Sequence, residues 1–343
     1  MTTAPSDTAP VSARPIRTVD VHAHVILPEV ERAVAGQPGL AAHRELDARR
    51  NGPESLAVSG RMVGERIDRL TRAEVRLAGM DATGVDVQIV SPSPSHYHYW
   101  AGEDLAEKVC RLAGEGVAGH CAQASGRLYG LGLVPLQHPS LMVKLLDHAL
   151  GLGLKGVEIS SHAPGRELSD PAYEPFWAHA AATGAVVFLH PFGCTLDERL
   201  DRWYLSNIVG QPAENAVALS HLIFSGVLDR HPGLKVVAAH GGGYLPTYLG
   251  RADHGWKVRP DAHGCAREPS TYLRELWFDS LVHDPAVLRE LVRVTGPERV
   301  LLGSDFPFDM GADDPVAVLR AAGLAPDVFD AVRGGNAADL FDL

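Results

Sequence analysis

The sequence predicts an α/β fold, a closed (β/α)8 TIM barrel of parallel strands. Short apolar runs rich in β-branched residues recur along the chain, and each precedes a longer stretch with helical periodicity. The runs are apolar at nearly every position, which is typical of parallel strands covered by helices on both faces. Eight such units in 343 residues fit one barrel, and a doubly wound open sheet is the alternative fold.

The predicted strands can be read in order along the chain. They cover residues 18–22, 85–91, 128–134, 155–159, 185–190, 234–240, 276–279 and 300–305. Amphipathic helical periodicity is clearest at residues 104–123, 139–152, 173–182, 215–229 and 285–295. The tail, residues 315–343, is expected to form closing helices with a turn at Gly334-Gly335-Asn336.

Two segments depart from the alternating pattern. Residues 25–72 are polar and rich in Gly and Arg, and the segment is too long for a barrel loop. We interpret it as a small insertion after strand one that lies over the barrel mouth. Residues 1–17, rich in Thr, Ala, Pro and Ser, are expected to be a flexible leader, which leaves residues 18–343 as a single domain.

Composition narrows the class of protein. The net charge is -11 and no cluster of Lys and Arg offers a surface for nucleic acid, so a nucleic-acid partner is not expected. The apolar runs are far shorter than the roughly 20 residues of a membrane span. Four widely spaced cysteines without a CxxC pair favour free thiols and a cytoplasmic location.

Metal-capable side chains fall at the ends of four predicted strands. His22 and His24 end strand one, and three further strands end in His190, His240 and Asp305. The carboxyl ends of parallel barrel strands open on one face, so these side chains can converge there. Residues two apart on a strand share a face, which lets both histidines of strand one face one ion. Each residue alone could be a packing histidine or a helix cap, and only their joint placement predicts a site.

Three imidazoles and a carboxylate suit a Zn2+ ion that keeps one position open for water, with Mn2+ or another divalent ion as the alternative. Such an ion brings the pKa of its water to about 7. His240 precedes Gly241-Gly242-Gly243, where missing side chains leave room for a substrate. We therefore predict acid/base work for His240 beside the metal.

Other histidines lie at the predicted mouth. His96 and His98 form a second H-x-H pair after strand two, which indicates either a loop packed at the pocket rim or a rival metal site. His162 and His283 follow strands four and seven and are predicted to contact the substrate. Lys155 begins strand four, whereas a bridging carbamylated lysine would have to lie at the pocket end, so a binuclear site of that type is not expected.

Several motifs together resemble the amidohydrolase-related, metal-dependent decarboxylases, most closely those that act on 2-amino-3-carboxymuconate 6-semialdehyde. The resemblance runs from about residue 18 to residue 340 and is weakest between residues 26 and 60. The matching pieces are Val19-Asp20-Val21-His22-Ala23-His24, His190-Pro191, His240-Gly241-Gly242-Gly243, Gly250-Arg251, His254-Gly255, Leu281-Val282-His283-Asp284-Pro285 and Leu302-Gly303-Ser304-Asp305-Phe306-Pro307-Phe308.

The resemblance implies an amidohydrolase-type barrel with one Zn2+ per subunit and a homodimer as the working unit. It implies that Arg61, in Gly60-Arg61-Met62-Val63, and Arg251 hold substrate carboxylates, with Arg251 reaching into the neighbouring subunit's pocket. Phe192 stands where the closest relatives carry a tryptophan, on the substrate side of the pocket. The implied catalytic residue is His240, and the implied metal ligands are His22, His24, His190 and the catalytic Asp305.

These observations predict a zinc-dependent, non-oxidative decarboxylase of an unsaturated or aromatic carboxylic acid, such as a 2-amino-3-carboxymuconate semialdehyde-like compound. Water addition or protonation at the carbon that bears the departing carboxylate would break conjugation, and loss of CO2 would restore it. A hydrolase or hydratase on the same metal site is the alternative, because the same hydroxide can attack a lactone, an amide or an activated double bond. A non-catalytic binding barrel is the remaining hypothesis.

Overall fold

The computed structural model describes residues 17–343, in which all eight predicted strands form. Strand three is interrupted at Leu131 and has two short parts. The strands are β1 Val19–Val25, β2 Val87–Pro92, β3 Leu128–Gly130 with Gly132–Leu133, β4 Gly156–Ile159, β5 Val186–Leu189, β6 Lys235–Ala238, β7 Trp277–Asp279 and β8 Val300–Leu301. The predicted leader lies outside the described residues except for Arg17.

The strands pair in parallel and in sequence order around a closed barrel. One group of ladders joins β1, β2 and the first part of β3, and the other joins the second part of β3 through β8. The barrel closes between β8 and β1, where the Val21 amide donates to the Leu302 carbonyl at 2.9 Å and the Phe306 amide donates to the His22 carbonyl at 3.2 Å. The predicted (β/α)8 barrel is confirmed.

The helices that alternate with the strands surround the barrel because they bury an apolar face against it. In the helix that follows β2, Val109, Ala113 and Val117 recur at helical spacing and are fully buried. The helices are α1 Pro28–Val34, α2 Pro38–Asn51, α3 Pro53–Thr71, α4 Ala73–Thr83, α5 Glu103–Ala122, α6 Pro139–Gly151, α7 Glu174–Thr183, α8 Gln211–Phe224, α9 Val227–Arg230, α10 Leu245–Val258, α11 Pro285–Thr295, α12 Pro315–Ala321, α13 Pro326–Asp330 and α14 Asn336–Phe341. Within residues 17–343, no helix is both long and apolar enough to cross a membrane.

The predicted insertion folds as the three helices α1 to α3. It begins after Val25, because β1 extends to that residue. Helix α2 buries none of its side chains, and α3 buries only Ser55 and Leu70. Helices α2 and α3 therefore stand apart from the barrel core, whereas Val30 and Val34 of α1 pack in it. The inner faces of α2 and α3 are available to line the barrel mouth.

The predicted turn at Gly334-Gly335-Asn336 does not form. Residues 331–335 make a wide helical turn that continues directly into α14. Gly334 lies so close to the Arg17 carbonyl that a Cβ atom there would overlap it. The Asn336 side chain donates to the carbonyls of Pro297 and Val300 at 2.7 and 2.8 Å. The glycine is needed here for close packing of the helix against the chain before β1.

An apolar cluster fills the barrel interior beneath the mouth, and α14 plugs its far end. The cluster includes Val19 and Val21 of β1, Ile89 of β2, Phe188 of β5 and Phe341 of α14. The four cysteines are buried free thiols, as the sequence predicted. The strand ends above this plug carry the polar residues of the site.

Candidate metal centre and its cavity

The five metal-capable side chains predicted from the sequence meet at one point above the apolar plug. The Nε2 atoms of His22 and His24 are 3.1 Å apart, and Asp305 Oδ1 lies 3.3 and 3.2 Å from them. The ring of His190 is centred 4.9 Å from the rings of both His22 and His24. One ligand atom from each of His22, His190, His240 and Asp305 lies within 4.8 Å of the others.

A β-bulge in β1 explains how His22 faces the barrel interior. Val19 pairs with Val87 and Asp20 with Gln88, but after the bulge Ala23 pairs with Val90, so β1 carries one extra residue. Val21 packs in the interior cluster, and the next ring, His22, contacts Phe188 of that same cluster at 5.1 Å between centroids. Consecutive residues face one side of a strand only where the pleat is interrupted. The bulge therefore turns His22 inward, and His24 follows two residues later.

The backbone is strained where β6 and β8 deliver their side chains. His240 has a φ of 54° and Asp305 a φ of 59°, in the left-handed region that non-glycine residues seldom occupy. The amides of His240 and Gly241 donate to the Asp279 carboxylate at 3.0 and 2.8 Å, which holds the first of these conformations. Such conformations persist at functional sites when their surroundings fix them.

The sequence analysis did not single out Asp279, which ends β7 and orients His22. Its Oδ2 atom accepts a hydrogen bond from His22 Nδ1 at 2.6 Å. This bond places the proton on Nδ1 and leaves Nε2 free to face Asp305, as carboxylate partners of metal-binding histidines do. A signal existed in the sequence, because Asp279 closes a predicted strand just as the other site residues close theirs.

Glu158 on β4 is a second buried carboxyl group that the sequence analysis missed. The Tyr97 hydroxyl donates to Glu158 Oε1 at 2.6 Å, and Oε2 lies 3.8 Å from His24 Nδ1. Burial raises the pKa of Glu158 to about 8. Glu158 therefore lies on the Nδ1 side of the His24 ring, opposite Asp305 on the Nε2 side.

The electrostatics of the cluster favour a bound cation. Burial alone would lower the pKa of His22, but Asp305 and Asp279 raise it to about 10. Burial lowers the pKa values of His24 and His190, and the surrounding imidazoles hold the pKa of Asp305 low against its own burial. Among the described residues, neither ring nitrogen of His190 has a hydrogen-bond partner. A buried nitrogen atom without a hydrogen-bond partner lowers the stability of the fold, and a bound metal ion would supply the missing partner.

A cavity of about 630 Å³ opens above the cluster, between the insertion helices and the barrel loops. His190, His240 and Asp305 lie at its base. Among the described residues that line it, none is a lysine or an arginine. The remaining lining residues are Ile26, Glu31, Asp47, Asn51, Leu56, Ser59, Gly60, Met62, Val63, Ile67, Ser93, Pro94, Ser95, Pro191, Phe192, Gly193, Tyr204, Asn207, Gln211, Phe308, Asp309 and Met310.

Of the predicted substrate-contacting residues, only Phe192 lines this cavity, with 37% of its surface exposed. Arg61 lies on α3 beside the lining residues Gly60 and Met62, but its own side chain is exposed outside the lining. Arg251 is exposed on α10. The structure of one chain does not bring either arginine to the cluster.

The two histidines predicted at the mouth are also outside the lining. His162 Nδ1 lies 3.2 Å from Glu214 Oε2, and that carboxylate also accepts bonds from the amide and hydroxyl of Thr195. These contacts outweigh burial and lower the pKa of Glu214 to about 2. His283 is exposed and has a φ of 58°. The contacts of His162 fix the loops after β4 and β5 rather than a substrate.

The alternative metal arrangements do not converge. The His96 and His98 rings are centred 6.3 Å apart, and His96 Nε2 lies 3.1 Å from Glu31 Oε1. Within residues 17–343, the only set of three or more close metal-capable atoms is the one at the barrel mouth. Lys155 Nζ donates to the Asp342 carbonyl at the far end of the barrel, away from the mouth.

Known proteins share both the sequence and the fold. The amidohydrolase family model matches residues 19–343. The 2-amino-3-carboxymuconate-6-semialdehyde decarboxylase of Dictyostelium discoideum is 32% identical over 95% of this chain and 91% of its own length. The 5-carboxyvanillate decarboxylase of Sphingomonas paucimobilis superposes with a TM-score of 0.83 and 26% identity, covering 96% of this chain and all of that one.

A second similar structure contains a metal. The 5-carboxyvanillate decarboxylase of Novosphingobium aromaticivorans, complexed with manganese and 4-hydroxy-3-methoxy-5-nitrobenzoic acid, superposes with a TM-score of 0.82 and 22% identity over 96% of each chain. The family match extends over nearly all described residues, and the sequence relatives cover the same length. The chain belongs to the amidohydrolase family.

Proposed function

We propose that this protein is a metal-dependent, non-oxidative decarboxylase of an unsaturated or aromatic carboxylic acid. The observation that carries the proposal is the convergence of five metal-capable side chains, His22, His24, His190, His240 and Asp305, of which the last three lie at the base of one cavity. The relatives support the reaction class, because their names describe decarboxylases of a carboxymuconate semialdehyde and of a carboxyvanillate. Phe192 on the cavity wall would contact a flat, conjugated substrate.

The residues present fit a divalent cation. We assign one Zn2+ per subunit to His22, His24, His190 and Asp305, with Mn2+ as the alternative because a manganese complex has this fold. The ring nitrogens of His190, which have no hydrogen-bond partner among the described residues, support the assignment. When bound, the metal would act as a Lewis acid and lower the pKa of its water to about 7.

His240 is proposed to move the proton in this reaction. Its Nε2 atom lies 3.8 Å from Asp305 Oδ2, and its backbone amide is fixed by Asp279. An imidazole at the cavity base can give a proton to the substrate carbon that bears the carboxylate or take one from water. The glycines at 241–243 do not line the cavity, so they do not leave the room for a substrate that the sequence predicted. Side chains there would overlap Val282, Phe278 and the Pro212 carbonyl, so the glycines let the turn after β6 pack closely and hold His240 in place.

The substrate carboxylates need a cation that the described lining of one chain does not supply. Arg251 lies on α10 among exposed apolar side chains at helical spacing, with Tyr248 70% exposed and Val258 56% exposed. Large exposed aromatic residues around one arginine are typical of a surface that a subunit covers. We therefore propose a homodimer in which Arg251 enters the partner's cavity, and Arg61 on α3 turns inward to meet the same substrate. A guanidinium group matches a carboxylate in bidentate geometry.

The reaction is tested by a substrate screen. The Zn2+ and Mn2+ forms would be incubated with carboxymuconate semialdehydes and hydroxybenzoates while released CO2 is measured, with chelator-treated protein as the control. We expect CO2 release that depends on the metal. Products that contain added water without CO2 would instead establish the alternative, a hydrolase or hydratase, and would remove the decarboxylase proposal.

The shared site is tested by mixing two inactive variants. Arg251→Ala and His240→Ala are each expected to lose most activity, by about 10²-fold or more for the histidine variant. In a mixed dimer, the Arg251→Ala subunit keeps its own His240 and receives the partner's Arg251, so one of its two sites is complete. Random re-association should therefore restore about one quarter of the wild-type activity. No recovery in verified mixed dimers would show that Arg251 does not act across the interface.

A further inference from the structure

The bulge in β1 leaves a backbone amide that needs a partner. The His22 amide lies at the extra residue of the bulge and donates to Asp20 Oδ1 at 3.1 Å. Asp20 has no exposed surface and points outward from the barrel, into the layer between the strands and the helices. The carboxylate therefore fixes the backbone conformation that turns His22 into the barrel.

The same carboxylate reaches the segment that delivers Asp305. The Ser304 amide donates to Asp20 Oδ1 at 3.0 Å, and the Ser304 hydroxyl donates to Oδ2 at 2.6 Å. The Phe306 amide in turn donates to the Ser304 hydroxyl oxygen at 3.1 Å. Asp20 thus joins the two segments, from β1 and from beyond β8, that supply three of the five metal-capable side chains.

Arg76 on α4 completes this network from outside the barrel. Gln88 Nε2 donates to Asp20 Oδ2 at 2.8 Å, and Arg76 Nη1 donates to Gln88 Oε1 at 3.0 Å. Arg76 Nη2 donates to the carbonyl of His24 at 2.5 Å, and its guanidinium lies 5.1 Å from the centre of the Phe306 ring. Arg76 has no exposed surface. The side-chain amide of Gln88 therefore links one buried cation, Arg76, to one buried anion, Asp20.

We propose that Arg76 is a positioning residue for the metal centre, acting with Gln88 and Asp20 to hold the bulge and the Asp305 segment in metal-binding geometry. The inference rests on the proposed metal-dependent function. Arg76 contacts backbone carbonyls and the side chains of Gln88, His120 and Phe306, but no side chain of the cluster. Its effect therefore passes through the positions of the segments that carry His24 and Asp305. A buried arginine bound to the backbone of a ligand strand costs desolvation that a purely apolar residue would avoid.

The test is the metal affinity of Arg76→Met, measured by competition with a chelator in the absence of substrate. We expect the affinity to fall by about 10- to 100-fold, the usual effect of removing a residue that orients metal ligands. Arg76→Lys keeps the charge but cannot form both bonds, so it should lie between wild type and Arg76→Met. The absorption spectrum of the Co2+ form should shift in Arg76→Met, because that spectrum reports ligand geometry.

The matched control is Leu145→Ala in α6, which removes buried packing far from the cluster and should leave affinity and spectrum unchanged. An affinity of Arg76→Met within twofold of this control would overturn the proposal. If Arg76→Met does not fold, the same metal-affinity measurement on Gln88→Met tests the proposal, since this variant breaks the same network with no change of charge. An affinity of Gln88→Met within twofold of the control would then overturn it. A wild-type protein that binds metal but releases no CO2 would remove only the decarboxylase function, because these measurements need no turnover.

Discussion

The chain contains two H-x-H pairs, and the structure uses them differently. His22 and His24 lie on a strand, with ring centres 5.0 Å apart, Nε2 atoms 3.1 Å apart and Asp305 beside both. The second pair has no regular backbone: a short helical turn ends at His96, and His98 follows it with a φ of 43°. The ring centres of His96 and His98 are 6.3 Å apart. The same spacing in sequence therefore gives convergence in one place and separation in the other.

The difference comes from backbone conformation and from the partners that tertiary structure supplies. On a strand, residues two apart share a face, whereas the turn that ends at His96 and the positive φ of His98 interrupt this alternation. Two carboxylates, Asp279 and Asp305, flank the first pair, while Glu31 contacts only His96 of the second. In this chain, the pair that converges is the one with an extended backbone and acidic residues from other strands.

The strongest test of this comparison removes the carboxylate at the first pair. Asp305→Ala should bind almost no metal and show no detectable turnover, because the anion that joins His22 and His24 is lost. Metal content after gentle purification, measured by elemental analysis, checks this result. His96→Ala is the matched control at the second pair and should keep about one metal ion per chain. Loss of metal in His96→Ala would mean that the second pair binds it.

The next test separates the imidazoles within the first cluster. His240→Ala should keep its metal and lose about 10²- to 10⁴-fold in kcat, the usual contribution of a general acid or base. Metal content and CO2 release measured on the same preparation check both parts. Since His240 lies close enough to the others to be a ligand, loss of the metal would reassign it to the coordination sphere. Full activity would remove it from the mechanism.

The smallest expected effect concerns the second pair and acid stability. Burial lowers the pKa of His98 from 6.5 to about 4, so the unfolded chain takes up a proton near pH 6.5 while the folded chain resists it. Stability should therefore fall as pH drops from 6.5 to 4, by up to roughly 3 kcal/mol from this residue. In His98→Asn, which tolerates positive φ, urea unfolding should depend less on pH across that range.

Exposed His254→Asn is the control for the acid-stability measurement and should follow the wild type. An unchanged pH dependence in His98→Asn would show that the folded and unfolded states protonate His98 at the same pH. The result would then weaken the contrast between the two pairs, because an accessible His98 could also accept a ligand.

Local patterns in the sequence were sufficient for the barrel and for the main cluster. Each strand and its helix carry their own hydrophobic periodicity, so eight strands could be counted before any contact was known. The parallel arrangement then places all strand ends on one face, which brought His22, His190, His240 and Asp305 together in the prediction as in the structure.

Other features could be seen only after folding. Asp279 lies 257 positions from His22 in the chain, and the link from Arg76 to Asp20 passes through Gln88 on another strand. The cavity lining excludes His162 and His283, although both follow strands that end at the mouth. The three helices of the insertion also had no readable pattern, because two of them bury few side chains.

The sequence by itself determined the number of strands, their order and the chemical groups available at their ends, because hydrophobic periodicity and residue type are local properties. Only the tertiary structure decided which way His22 points, through a bulge held by Asp20, and which partner each imidazole receives. These choices depend on contacts between residues far apart in the chain, and a one-residue shift in register is invisible to a local pattern.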